Sequence, residues 1–140
     1  MSIDVEALVI LLEDAINDEA ITQDHLDRVE QYLDRLFSSS GIDIGFTRHF
    51  LDRVNDARNG QPITIADLID IFQKAYRKFN KGKSLIGIGM DAEAVLTDMD
   101  SDINIPFVIS WNRRERELSI VSKTVMRKKN FHTPDQLFRV

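Results

Sequence analysis

A change of hydrophobic period near residue 90 constrains the fold of this chain more than any other feature. Before that point, apolar residues recur three and four positions apart, as they do on the buried stripe of amphipathic helices. After it, the runs 93–97, 105–111 and 117–126 are rich in β-branched and aromatic residues, which is typical of strands. Helices followed by a meander of strands is the α+β pattern. We therefore predict about four N-terminal helices followed by a three- or four-stranded antiparallel sheet.

Threonines mark three of the predicted helix starts. Thr22, Thr47 and Thr64 each precede an apolar-periodic segment and offer a hydroxyl to a free backbone N–H of the first turn. Together with a further apolar stripe, they predict helices over 4–17, 22–38, 47–59 and 64–79. The 140 residues are expected to form one domain. Within it, residues 1–40 are expected to form an acidic helical hairpin extension and residues 46–140 an α+β core.

The helix stripes and strand faces must bury against each other, because neither is stable alone. The sequence therefore predicts one cluster of mostly buried residues drawn from both halves: Phe50, Val54, Leu68, Phe72, Tyr76, Phe107, Ile109 and Ile120.

Composition excludes several classes of protein and site. The chain has no cysteine, which excludes disulfides, thiolate metal sites and a cysteine nucleophile. No apolar run approaches the roughly 20 residues of a membrane span. The acidic N-terminus lacks the basic region of a signal peptide. We therefore expect a cytoplasmic protein without membrane association.

No metal or cofactor site is predicted. The three histidines lack HxH or HExxH spacing. Asp98, Asp100 and Asp102 alternate like part of a calcium loop, but isoleucines stand where such a loop needs its central glycine and its final glutamate. The segment is expected to be a solvated acidic turn between two strands.

Charge is unevenly distributed along the chain. Residues 1–45 carry 11 acidic and two basic side chains, whereas residues 46–140 carry 16 basic and 12 acidic ones. This asymmetry predicts a polyanion partner such as RNA for the basic half, and a protein partner for the acidic hairpin. The alternative is a solvated sheet edge with ordinary lysines and arginines. The candidate nucleic-acid-binding residues are Arg113, Arg114, Arg116, Arg127, Lys128 and Lys129.

The helix predicted after Thr47 carries a possible catalytic pair. His49 and Arg53 are four residues apart and therefore share one helix face, and Arg58 lies near the end of the helix. A neutral imidazole at a helix start can act as a base near pH 7. A guanidinium can hold a phosphate or stabilise a charged transition state. The alternative is that His49 is a boundary residue and Arg53 pairs with a neighbouring aspartate.

The last predicted strand carries the second basic cluster. Alternation along a strand places Lys123 and Arg127 on one face and Thr124 and Lys128 on the other. If the sheet packs on the helix after Thr47, the face with Lys123 can meet His49. The alternative is an edge strand that carries charge to prevent edge-to-edge association.

These two clusters carry a family resemblance. The motif FTRHFLDRVNDARNGQPITIADLIDIF, a short meander, and the ending LSIVSKTVMRKKNF resemble the barnase/EndoU/colicin/RelE-like ribonuclease superfamily in its small tailed-phage versions, over about residues 46–131. The resemblance implies that the opening helix supplies His49, Arg53 and Arg58, and that Lys123 and Thr124 form the polar pair of the last strand. It also implies RNA cleavage by general acid/base chemistry without a cofactor.

Two functions follow from this reasoning. The first is a metal-independent endoribonuclease. The second is a non-catalytic phage accessory protein, either a virion component or a regulator or inhibitor that binds a host protein. The feature that discriminates between them is whether His49, Arg53 and Lys123 meet in one pocket.

Overall fold

The computed structural model describes residues 20–79 and 92–140. The predicted helix over 4–17 lies outside these residues. The α-helices are α1 (Gln23–Phe37), α2 (Arg48–Val54) and α3 (Ile65–Phe79), and single 3₁₀ turns cover Ser38–Ser40 and Ala57–Asn59. The strands are β1 (Ile42–Phe46), β2 (Ala92–Asp98), β3 (Ile103–Asn112), β4 (Glu117–Ser122), β5 (Met126–Arg127) and β6 (Gln136–Arg139).

The three threonine caps form as the sequence predicts. The hydroxyls of Thr22 and Thr47 accept the N–H of His25 and Phe50, respectively, each at 3.2 Å. Thr64 and Asp67 form a reciprocal capping box, in which each side chain accepts the backbone N–H of the other residue. The helix after Thr47 is shorter than expected, because it ends at Val54 and a separate 3₁₀ turn follows.

The sheet differs from the predicted one. The prediction of about four helices followed by a three- or four-stranded antiparallel sheet is wrong in detail: residues 20–79 and 92–140 form three α-helices and one six-stranded mixed sheet. The strand order is β1-β4-β3-β2-β6, with β5 paired to β3. The β1–β4 and β2–β6 pairs are parallel, and the remaining pairs are antiparallel. The fold is α+β.

Two strands, β1 and β6, were not predicted from the sequence because they are short. β1 has five residues, including a glycine, and lies directly between a serine-rich turn and the Thr47 cap. β6 has four residues. The expected strand over 117–126 is also interrupted. β4 ends at Ser122, and residues 123–125 bend away before β5 resumes pairing with β3.

The helices pack on one face of the sheet and share a single core with it. All eight residues of the predicted cluster belong to this core or, in the case of Tyr76, pack against it half-buried, so this prediction is confirmed. Phe46 links strand and helices, with ring centroids 4.7 Å from Phe50 and 5.9 Å from Phe72. The core also includes Leu26 and Leu33 of α1, within the segment predicted as an extension.

Two carboxylates of helix α1 accept backbone N–H groups on the outer edge of β1. Asp34 Oδ1 accepts the Ile44 N–H at 2.8 Å, and the carboxylate of Glu30 accepts the N–H of Phe46. Glu30 and Asp34 lie four residues apart on one helix face, so they meet alternate donors of the strand. The inner donors of β1 face β4, as the bond from Thr47 N to Ser122 O shows. Two outer donors of β1 are therefore already occupied, which disfavours the pairing of a further strand at this edge.

Among the helices of residues 20–79 and 92–140, none is long and apolar enough to cross a membrane.

Candidate functional site

An open cleft of about 670 Å³ lies between α2 with its following 3₁₀ turn and the irregular segment that leads into β5. We call it the His49 cleft. Six of the residues predicted from sequence line it, together with an aspartate, an asparagine and two apolar residues: His49, Arg53, Asp56, Arg58, Asn59, Thr124, Val125, Met126, Arg127 and Lys128. Two segments some 70 residues apart in sequence thus form one site.

Backbone and side-chain hydrogen bonds hold the two walls together. At the start of α2, Thr47 Oγ1 donates to Lys123 O at 2.8 Å while also capping the helix. At the far end, Asn59 Nδ2 donates to Arg53 O at 2.9 Å, and Asn59 Oδ1 accepts the N–H of Arg127 at 3.1 Å. Asn59 is buried, so these bonds compete little with water. Both ends of α2 are therefore fixed to the segment 123–127.

The charged groups of the cleft form one chain of contacts. Arg53 Nε donates to His49 Nε2 at 3.1 Å, so the guanidinium and the imidazole are in direct contact. Arg53 Nη1 also lies 3.3 Å from Asp56 Oδ2, the same oxygen that Arg58 Nη2 approaches at 2.8 Å. A single carboxylate thus serves two guanidinium groups, and positive charge remains in excess.

The Arg127 side chain is held in place by contacts with other parts of the fold. Its guanidinium donates to the carbonyl oxygens of Ser101 and Pro62 and lies 3.3 Å from Asp67 Oδ2. Its side chain is only 17% exposed. It therefore contributes positive charge to the cleft from a position fixed by the α3 start and the β2–β3 turn.

The prediction that Lys123 lies beside His49 is wrong. Ser122 points toward the helices, as Leu118 and Ile120 do, so Lys123 falls on the opposite face of the sheet. There its ammonium lies 2.6 Å from Glu93 Oε1. The bend after Ser122 breaks the strand alternation, which is why Thr124 and Arg127 both line the cleft while Lys123 does not.

The predicted nucleic-acid-binding residues fall into two groups. Arg113, Arg114 and Arg116 occupy the exposed turn between β3 and β4, where Arg116 has φ 53°. Arg127, Lys128 and Lys129 lie beside the other end of β3, because Ile103 pairs with Arg127. Ten strand residues at about 3.3 Å each separate the two groups by about 30 Å.

The acidic turn between β2 and β3 is not solvated throughout. Asp98 is 1% exposed, and its carboxylate oxygens accept hydrogen bonds from Lys74 Nζ at 3.0 and 3.2 Å. Asp100 and Asp70 also lie within 3.4 Å of the same ammonium. No cluster of histidine and carboxylate residues suited to a metal ion occurs within residues 20–79 and 92–140.

Sequence reasoning missed the role of Asn59 and the shared use of Asp56. Asn59 precedes a glycine and resembles an ordinary helix stop, and nothing local indicates that its side chain bridges to β5. Only the tertiary pairing of β5 with β3 reveals that contact.

Comparisons with known proteins add no assignment: no family model, no curated protein and no solved structure matches this chain.

Proposed function

We propose that the protein is a metal-independent endoribonuclease whose active site is the His49 cleft. One observation carries the proposal: His49, Arg53, Arg58, Thr124 and Lys128 line a single open cleft although they come from two distant segments. A base near the 2′-hydroxyl and cations around the phosphate are sufficient for RNA cleavage without a metal.

The chemistry follows from the geometry of His49. Its Nε2 lone pair takes the proton of a ribose 2′-hydroxyl, and the oxygen then forms a bond to the adjacent phosphorus. The bond from phosphorus to the 5′-oxygen breaks, and that oxygen takes a proton from solvent. The products are a 2′,3′-cyclic phosphate and a free 5′-hydroxyl, and no redox partner or metal enters the balance.

The cations hold the phosphate while its charge changes. Arg53 and Arg58 exchange the Asp56 carboxylate for phosphate oxygens, which a planar guanidinium binds with two parallel bonds. Once Arg53 turns to the phosphate, His49 Nε2 is released from its 3.1 Å contact and becomes available as a base. Lys123 does not reach the cleft, which by the criterion set from the sequence counts for the accessory protein; the lysine that lines the cleft is Lys128. Such an enzyme would act on RNA in the cytoplasm.

One observation favours a second function. The arginines of the cleft already share an internal carboxylate partner, and this arrangement also suits an inert structural cluster in a phage accessory protein that binds a host protein or is part of a virion. Such a protein folds normally and leaves RNA intact.

Cleavage of a mixed RNA pool in the presence of a chelator tests the proposal. We expect the wild-type protein to cut and His49→Ala to cut about 10²–10⁴-fold more slowly, which is the contribution of a positioned base. The matched control is Asp52→Ala, because Asp52 is also exposed on α2 but lies outside the His49 cleft. Folded wild-type protein that leaves the whole pool intact would overturn the nuclease and favour the accessory function.

A further inference from the structure

A second cleft, of about 520 Å³, lies on the other side of Lys128. We call it the Phe131 cleft. Its floor is the end of the sheet where β2 stops, β3 begins and β6 runs parallel to β2. Its wall is the connection 128–133 that leaves β5. Lys128 lines both clefts, so the two form neighbouring sites along one surface.

The wall of this cleft is fixed to the sheet. Asn104 is fully buried, and its Nδ2 donates to Lys128 O at 3.0 Å and to Asp102 O at 3.1 Å. Lys128 N in turn donates to Asp102 O at 2.8 Å. At the other end, β6 is secured by the bond from Val140 N to Thr97 O at 2.9 Å. The connection is therefore anchored at both ends, and the cleft is preformed.

The lining combines free cations with an apolar wall. Lys128, Lys129 and Arg139 are exposed, and none of their side chains forms an ion pair with any residue in the described ranges. Phe131 is half-buried, and Met99 at the rim is 60% exposed. Cations beside an aromatic ring are the combination that binds single-stranded nucleic acid, because phosphates pair with the cations and bases stack on the ring.

Two carboxylates also line the cleft and leave it cationic. Asp98 is buried and bound to Lys74, which balances its charge. Asp102 has φ 60° at the β2–β3 turn and is the other acid of the lining. Together with Asn130 and Thr133, Asp102 offers polar groups to the edge of a base.

We propose that the Phe131 cleft is a subsite for the nucleotides that flank the scissile phosphate in single-stranded RNA, with Phe131 stacking on a base and Lys129 and Arg139 binding phosphate. This inference rests on the proposed function of the His49 cleft and extends it. The RNA chain enters one cleft, passes over Lys128 and continues in the other cleft. Sequence context and length of the substrate are read in the Phe131 cleft, while the chemistry occurs in the His49 cleft.

Binding of 2′-O-methyl oligoribonucleotides tests the subsite without cleavage, because the nucleophilic hydroxyl is blocked. We compare a dinucleotide, which fills one cleft, with an oligomer of about six nucleotides, which spans both. The wild-type protein should bind the longer oligomer more tightly. Phe131→Ala should reduce this ratio of affinities about tenfold, the effect of losing one stacked base, and Phe131→Trp should restore it.

A second variant keeps the test independent of packing at Phe131. The double substitution Lys129→Gln and Arg139→Gln changes only exposed side chains, and it should lower the slope of log affinity against log salt by about 1.4, the value for two phosphate contacts on a single strand. Arg77→Gln on α3 is the matched control, because Arg77 is exposed and lines neither cleft.

The outcomes separate the two proposals. Unchanged affinity ratios and salt slopes in every variant would overturn the subsite, even if wild-type protein cuts RNA through His49. If the wild-type protein never cuts RNA but Phe131→Ala lowers the ratio of affinities, the Phe131 cleft is an RNA-binding site and the nuclease proposal is overturned. No binding to either oligomer would overturn the subsite.

Discussion

Two regions of the sheet place carboxylates near the core, and they do so in opposite electrostatic settings. At the corner between α3 and β2, Asp98 lies against the Lys74 ammonium at 3.0 Å. At the edge between α1 and β1, Asp34 lies beside Asp43 and Glu30, and its partner is the neutral N–H of Ile44. The first carboxylate has a countercharge, whereas the second lies beside two other carboxyl groups and accepts a backbone N–H.

The pKa values of the two groups reflect this difference. Burial raises the pKa of Asp34 to about 6, the Ile44 N–H opposes that rise, and the charge of Asp43 adds to it. Burial also tends to raise the pKa of Asp98, but the hydrogen bonds from Lys74 and from the Asp100 N–H outweigh it and leave that pKa below the usual range. Ionised Asp98 therefore stabilises the fold, whereas ionised Asp34 destabilises it.

The largest predicted effect comes from removing the countercharge at the α3–β2 corner. Lys74→Met leaves the 1% exposed Asp98 carboxylate without an ion-pair partner, so we expect the free energy of unfolding at pH 7 to fall by about 3 kcal/mol in a denaturant melt. Lys74→Met combined with Asp98→Asn should be less destabilised than Lys74→Met alone. A double variant at least as unstable as the single one would show that packing, and not charge, carries the contribution of Lys74.

A stabilising effect is expected at the α1–β1 edge. Asp34→Asn keeps an oxygen to accept the Ile44 N–H and removes the repelled charge, so it should raise the free energy of unfolding at pH 7 by about 1 kcal/mol after allowance for solvent screening. Asp52→Asn on α2 is the control for a change of net charge, because Asp52 is exposed. A destabilised Asp34→Asn protein would contradict the repulsion at this edge.

The pH dependence of stability separates the two regions further. The folded-state pKa of Asp34 is raised from 3.8 to about 6, so its contribution is present near pH 4 and is lost as pH rises toward 6. The pKa of Asp98 is depressed, so its contribution is present above about pH 4 and is lost as pH falls below that value. Because burial also raises the pKa of Glu30, melts of Asp34→Asn should show a smaller decline between pH 4 and 6 and keep the loss in acid.

The smallest effect is predicted for the exposed ion pair in the His49 cleft. Arg58 lies 2.8 Å from Asp56, closer than Lys74 is to Asp98, but its side chain is 75% exposed. Arg58→Ala should therefore change the free energy of unfolding by less than about 0.5 kcal/mol. A loss comparable to that of Lys74→Met would show that distance, rather than burial, determines the contribution of these pairs.

Local signals predicted three helix starts and the buried core, but not the number or the length of the helices. Thr22, Thr47 and Thr64 cap helices because their hydroxyls reach a donor only three residues away, which a sequence pattern can report. The buried cluster followed from periodicity. The strand order could not be predicted from the sequence. β1 has only a short alternating pattern, and its place in the sheet is set by its pairing with β4.

The candidate site was predicted in part. His49 and Arg53 share a face by helix geometry, so their contact followed from spacing alone. Whether Lys123 lies in the cleft depends on where the strand stops and residues 123–125 bend away. Two tertiary hydrogen bonds fix this point: Lys123 N donates to Pro106 O, and Thr47 Oγ1 donates to Lys123 O. No pattern within the strand itself reports these contacts.

The parallel pairing of β1 with β4 has a consequence for how the chain acquires its structure. Residue 42 pairs with residue 118, so β1 remains without a sheet partner until most of the chain has left the ribosome. Contacts of such long sequence separation slow folding, because the entropy of closing the loop is lost before the contact forms. During synthesis, the carboxylates of Asp34 and Glu30 can already accept the N–H groups of Ile44 and Phe46, so a local helix contact can form on this strand while its sheet partner is still absent.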